Sequence, residues 1–142
     1  MKTVKYKILP ISLNSNGSLK TLDLSDNKLM LYKYLDDLTK MLKVNQSLQV
    51  LRLCQCGLTQ NKTAILFQVF KNNQNTTLQT LDVSENEYCT KDLEEMLSSN
   101  TSLLCVEITV KTGYFVNQSI LWSPRRQSTV YEISLHHPFQ RL

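Results

Sequence analysis

Apolar positions along this chain recur in a fixed, short register. Leu19, Leu22, Leu24 and Leu29 are set around Asn27 in the order Leu-x-x-Leu-x-Leu-x-x-Asn-x-Leu. The same spacing returns at Leu48, Leu51, Leu53, Cys56 and Leu58, then at Leu78, Leu81, Val83, Asn86 and Tyr88, and in worn form at Leu103, Val106 and Ile108. The copies start 29, 30 and 25 residues apart, a period that marks stacked units. Within each copy the central apolar pair is two residues apart, so both members point to one side of a short strand. Asn27 and Asn86 fall where the chain leaves that strand. A side-chain amide there serves backbone groups that the turn leaves without partners. Cys56 takes this place in the second copy, a substitution the pattern tolerates.

Between the strands the period becomes that of a helix. Leu31, Leu35, Leu38 and Leu42 form a stripe, with Asp36, Asp37, Lys40 and Lys43 turned outward. A second helix around residues 63–71 offers Leu66, Phe67 and Phe70 to the core. A third starts at Thr90, carries Asp92 in its first turn, where the helix dipole favours a carboxylate, and buries Leu93, Met96 and Leu97. The expected organisation is α/β, with short parallel strands on a concave side and helices on a convex side. Residues 1–18 read as the end of an incomplete preceding repeat or an N-terminal flank, 19–110 as the repeats, and 111–142 as a capping region with a basic tail. Residues 111–129 show no helical stripe, whereas Val130-x-x-Ile133-x-Leu135 echoes the repeat and is the candidate for a last strand. One repeat cannot bury its own apolar face, and about three are needed for a stable stack.

Composition narrows this little. A chain of 142 residues, 42% hydrophobic and 20% charged, is one globular domain's worth. The net charge of +4 does not call for nucleic acid, so no direct nucleic-acid partner is expected. No apolar run approaches the ~18 residues of a membrane span, and the start lacks the ~7–15 apolar residues of a signal segment. The chain therefore reads as intracellular, with no membrane partner. Sequons at Asn16, Asn45, Asn61, Asn75, Asn100 and Asn117 are read chiefly as turn and cap residues, four of them just before a strand or at a helix start. Cys54 and Cys56 form a Cys-x-Cys without a second cluster or nearby histidines, so they and the other cysteines read as structural thiols with no metal. With three glycines, no phosphate loop and no Gly-x-Ser-x-Gly, no catalytic residue, cofactor or small-molecule substrate is expected. His136 and His137 are adjacent and cannot share one strand or helix face.

Residues alternating with the buried leucines would face the concave side in three rows. One holds Thr21, Val50, Thr80 and Cys105, the middle one Asp23, Arg52, Asp82 and Glu107, and the third Ser25, Cys54, Ser84 and Thr109. Asp23, Arg52 and Asp82 alternate in sign, and the plainer reading is a self-satisfied ladder stabilising the sheet by roughly 0.2–1 kcal/mol per pair. Glu107 beside Asp82 breaks that alternation and marks Glu107 as a residue kept for a partner. Asp26 and Glu85 at the strand exits add to the same sign. The expectation is an acidic concave face that receives a basic segment of another protein. Trp122, the single tryptophan, beside Pro124-Arg125-Arg126, reads either as an anchor for that partner or as a lid on the open end of the stack.

The Leu-x-x-Leu-x-Leu-x-x-Asn/Cys core and the helix before Asn-x-Ser-Leu resemble the ribonuclease-inhibitor-type leucine-rich repeats over residues 19–110. A narrower resemblance rests on Leu51-Arg-Leu-Cys-Gln-Cys-Gly-Leu58, Leu81-Asp-Val-Ser-Glu-Asn86, Cys89-Thr-Lys-Asp-Leu-Glu-Glu-Met-Leu97 and the closing Phe139-Gln-Arg-Leu142. These look like the C-terminal repeats of the Tonsoku-like repair proteins. That resemblance implies a horseshoe segment that binds a partner protein in a nuclear complex guarding stalled replication forks and supporting recombination. The tetratricopeptide and ankyrin repeats of that family are not in this sequence, so it implies a fragment and carries over no histone-reading residue. The alternatives are a cytosolic ribonuclease-inhibitor-type regulator or the structural end of a longer array.

Overall fold

The computed structural model describes residues 16–27, 32–112, 115–122 and 132–135, with the backbone alone at 32–33 and from 110 onward. Three short strands, β1 (Thr21–Asp23), β2 (Val50–Arg52) and β3 (Thr80–Asp82), alternate with helices α1 (Tyr32–Val44), α2 (Gln60–Lys71) and α3 (Thr90–Ser99). A fourth strand, β4 (Cys105–Thr112), follows, and β1 to β4 pair in parallel. Parallel neighbours need a long return path, and each helix supplies one. The helices stack in the same order, α1 on α2 and α2 on α3. This is the α/β architecture the spacing predicts.

The register is the one the apolar pattern dictates. Leu22, Leu51, Leu81 and Val106 stand opposite one another across the sheet, and none is more than 2% exposed. Leu24, Leu53, Val83 and Ile108 make a second buried row. From the helices, Leu35, Leu38 and Leu42, then Leu66, Phe67 and Phe70, then Leu93 and Met96 close the core, joined by Met41 and Val69. Leu97 is only partly buried, because α3 has a helix packed on one flank alone among the described residues. The second helix begins at Gln60, earlier than its apolar stripe, and buries Lys62 and Thr63 in its first turn. Leu31 and residues 1–15 lie outside the described residues.

The tail continues the sheet. Beyond residue 110, where the sequence shows no helical stripe, β4 runs on to Thr112 and β5 (Phe115–Trp122) returns antiparallel beside it. The strand echoed by Val130–Leu135 exists as β6 (Glu132–Leu135), but it pairs antiparallel with β5 and is not a fifth parallel strand. The sheet order is β1-β2-β3-β4-β5-β6. Two residues account for the change. Where Asp26, Gln55 and Glu85 turn the chain off its strand with φ of 61°, 54° and 57°, the fourth repeat has Val110, whose branched Cβ disfavours that conformation. Where Asn27, Cys56 and Asn86 hold the turn with short side chains that donate to nearby carbonyls, it has Lys111, whose ammonium sits at the end of a long flexible stem. Lacking a turn, the strand extends.

Candidate protein-binding face

Two ladders of side chains hold the strands in register, one at each end. At the upstream rim, where the chain comes into each strand, Asn16, Asn45, Asn75 and Asn100 repeat one geometry. The Oδ1 of each accepts the backbone N–H two and three residues on, as in Asn75 from Thr77 at 3.2 Å and Leu78 at 2.9 Å. The Nδ2 donates back to the preceding repeat: Asn45 to the Asn16 carbonyl at 3.2 Å, Asn75 to that of Leu42 at 2.6 Å, and Asn100 to that of Phe70 at 3.0 Å. Four of the sequons are thus turn residues, as expected. The cross-repeat ladder they form was visible beforehand only as an Asn recurring three residues before each first leucine.

At the downstream rim Asn86 donates to the carbonyls of Leu53, Val83 and Ser84 at 2.7–3.2 Å, while its Oδ1 accepts from the N–H groups of Cys56 and Leu58, both at 3.0 Å. Cys56 does part of the same work with sulfur, donating to the Leu24 carbonyl at 3.2 Å. Burial holds its thiol up at about 12, and burial with the nearby Asp82 carboxylate holds Cys54 up at about 11. Both are protonated, weakly nucleophilic groups at neutral pH. The four cysteines are free thiols.

Between the rims lies the charged row. Asp23, Arg52, Asp82 and Glu107 stand opposite one another in β1 to β4, spaced by the ~4.8 Å between strands. Asp23 and Asp82 each spend one carboxylate oxygen on their own strand's end, accepting from Ser25 N–H at 3.0 Å and Ser84 N–H at 2.9 Å. Asp82 also accepts from the Ser84 hydroxyl and is 8% exposed. Glu107 is half-buried. Its carboxyl is pushed above the usual range by burial first and by the Asp82 carboxylate second, with Arg52 pulling it back. Glu85 holds its backbone against the Thr109 hydroxyl at 3.0 Å, and Asp26 is exposed at the equivalent corner.

The antiparallel end lengthens this row in a way the sequence did not announce. Glu107 pairs with Leu121, and Leu121 with Glu132, so the one acidic residue of the tail takes a place in line with Asp82 and Glu107. Trp122 pairs with Val106 and so occupies the register of the buried Leu22–Leu51–Leu81–Val106 row, not that of the charges. His136, His137 and Phe139–Leu142 lie outside the described residues.

The two rims differ in charge. A cavity of about 280 Å³ at the downstream rim is lined by Glu85, Glu87, Tyr88 and Thr109 among others. One of about 370 Å³ at the upstream rim is lined by amides and hydroxyls, such as Gln49, Gln79, Thr76 and Thr101, with Lys20.

The profile of the Leucine Rich Repeat family matches residues 18–41, which cover β1 and most of α1. Four parallel strands and three helices on the same period give the chain the leucine-rich-repeat fold. Such repeats generally mediate protein–protein interaction and are typically not enzymes. No curated protein matches the chain.

Proposed function

We propose that this chain is a non-enzymatic protein-binding module whose concave face receives a basic segment of another protein. The observation that carries the reading is the pairing of Asp82 with Glu107 in adjacent strands. Like charges directly opposite destabilise a sheet, and a cationic side chain laid between them relieves that repulsion. Acidic groups at the downstream rim, Asp26 and Glu85, extend the attraction, and Arg52 sets where along the row it stops. The test is a calorimetric titration of the 142-residue chain with a lysine- and arginine-rich peptide and with an acidic peptide of equal length. The basic peptide binds, more weakly as salt rises, and Glu107→Lys weakens it several-fold. Equal binding by Glu107→Lys would remove the reading.

The finer assignment is to the C-terminal repeats of a Tonsoku-like protein acting in a nuclear replication-fork and recombination complex. It is supported by the Leu51–Leu58 and Cys89–Leu97 stretches. A cytosolic ribonuclease-inhibitor-type regulator, or a purely structural array end, is the second reading, favoured by the antiparallel β5–β6 extension that ends the parallel ladder. Microscopy of the tagged chain, with and without replication stress, separates them: accumulation at nuclear foci supports the first, and uniform cytosolic signal the second.

A further inference from the structure

The upstream ladder bears on chemistry that the concave face does not use. Asn45, Asn75 and Asn100 each open an Asn-x-Ser/Thr sequon, and each is at most 5% exposed. N-glycosylation joins a bulky sugar to the amide Nδ2, replacing one of its hydrogens. That atom donates to a carbonyl of the preceding repeat, at 2.6 Å in Asn75 and 3.0 Å in Asn100. The Oδ1 of the same side chain is held by two backbone N–H groups, so the amide cannot swing outward without abandoning the turn. In the Asn45 sequon the hydroxyl half also belongs to the fold, since Ser47 Oγ donates to the carbonyls of Asn16 at 2.6 Å and Leu19 at 3.2 Å. These sequons recur with the repeat because the ladder does.

We infer that this chain folds in a compartment that does not N-glycosylate, with Asn45, Asn75 and Asn100 serving as ladder residues and not as glycan acceptors. Sugar transfer acts on the extended chain, before burial can protect these amides. An occupied Asn75 would place a polar glycan between its own repeat and the preceding one, at the Leu42 carbonyl. Asn61, exposed in the first turn of α2, tolerates a glycan and provides the internal control.

The test routes the full chain, with a cleavable secretory leader, through glycosylating cells, with and without an inhibitor of lipid-linked sugar-donor synthesis. Site occupancy is read by mass spectrometry and folding by protease resistance. The expected result is loss of resistant chain in step with occupancy at Asn75 and Asn100, not at Asn61, and recovery under the inhibitor. A folded, secreted chain overturns the inference, whether those sites are occupied or skipped. So does misfolding that the inhibitor leaves unrelieved. Thr77→Ala with Ser102→Ala gives a second readout, because among the described residues Thr77 Oγ1 has no partner and Ser102 Oγ reaches only Asn100 Oδ1, at 3.5 Å. This variant keeps the ladder and lacks two of the three buried acceptors, and among chains free of sugar at Asn45 it regains protease-resistant yield. No gain in that fraction overturns the assignment to Asn75 and Asn100.

Discussion

At the upstream rim every described repeat contributes an asparagine, Asn16, Asn45, Asn75 and Asn100, and the last three are buried. At the downstream rim the series is Asn27, Cys56, Asn86 and then Lys111. Amides at both rims bridge repeats, Asn86 reaching the Leu53 carbonyl at 2.7 Å as Asn75 reaches that of Leu42, but the downstream series ends at Lys111 without one. The outcome differs accordingly. Strands β1 to β3 stop after three residues, and β4, with no amide and a branched residue at the turn, runs for eight. Both rims therefore join repeats, and the downstream rim also decides where each strand stops.

The largest expected effect tests that joining directly. Asn75→Ala strips partners from two N–H groups and the Leu42 carbonyl, at about 1–3 kcal/mol for each buried group left unpaired. Its midpoint in chemical denaturation should fall about as far as that of Asn86→Ala, which strips partners from the Cys56 and Leu58 N–H groups and the Leu53 carbonyl. A much smaller loss for Asn86→Ala would mean that the upstream rim alone carries the stack.

A second change would move the boundary between the two regions. Val110→Gly with Lys111→Asn restores turn chemistry to the fourth repeat. Hydrogen exchange should then show lost protection at residues 110–112 and in β5, with β1 to β3 unaffected. Retained protection would mean that pairing with β5, not the turn residues, extends β4.

Gln55 sharpens the same point on a smaller scale. It holds φ of 54° without being glycine, a conformation that costs roughly 1–2 kcal/mol for a residue with a Cβ. Gln55→Gly should hold or slightly raise the melting temperature, and Gln55→Val should lower it.

The smallest effect concerns the charged row. Glu107 has a carboxyl raised above its unfolded value, so the folded state holds the proton more tightly. Its neutral form favours folding below the ordinary glutamate range, and that contribution is lost as pH rises through the raised value. Glu107→Gln should therefore stabilise the fold by roughly 0.2–1 kcal/mol at pH 7. The difference should fade as pH falls through the raised value, read from denaturation midpoints across pH.

Much of this molecule was legible in advance. The three strand rows, the helix stripes and the neighbours of Glu107 followed from apolar spacing, because side chains alternate along a strand and a repeat places equivalent residues side by side. The upstream ladder was partly legible, as asparagines before each strand, but its bonds across repeats depend on how closely successive turns approach. The absence of turn chemistry at Val110 and Lys111 was written in the sequence and shows only when the fourth repeat is aligned residue by residue with the first three.

By itself the sequence determined the stack: a period near 29 residues, one apolar face per strand and a matching face per helix, each unable to be buried except by its neighbours. Tertiary structure alone decided the end of the sheet. Apolar alternation tells which face a strand buries and not which way it runs. The two-residue interval between β4 and β5 allows only the antiparallel direction, and it shows only once the strand ends are known. That reversal brings Glu132 through Leu121 into line with Glu107, joining a tail residue to the charged row across a distance in sequence that no local pattern spans.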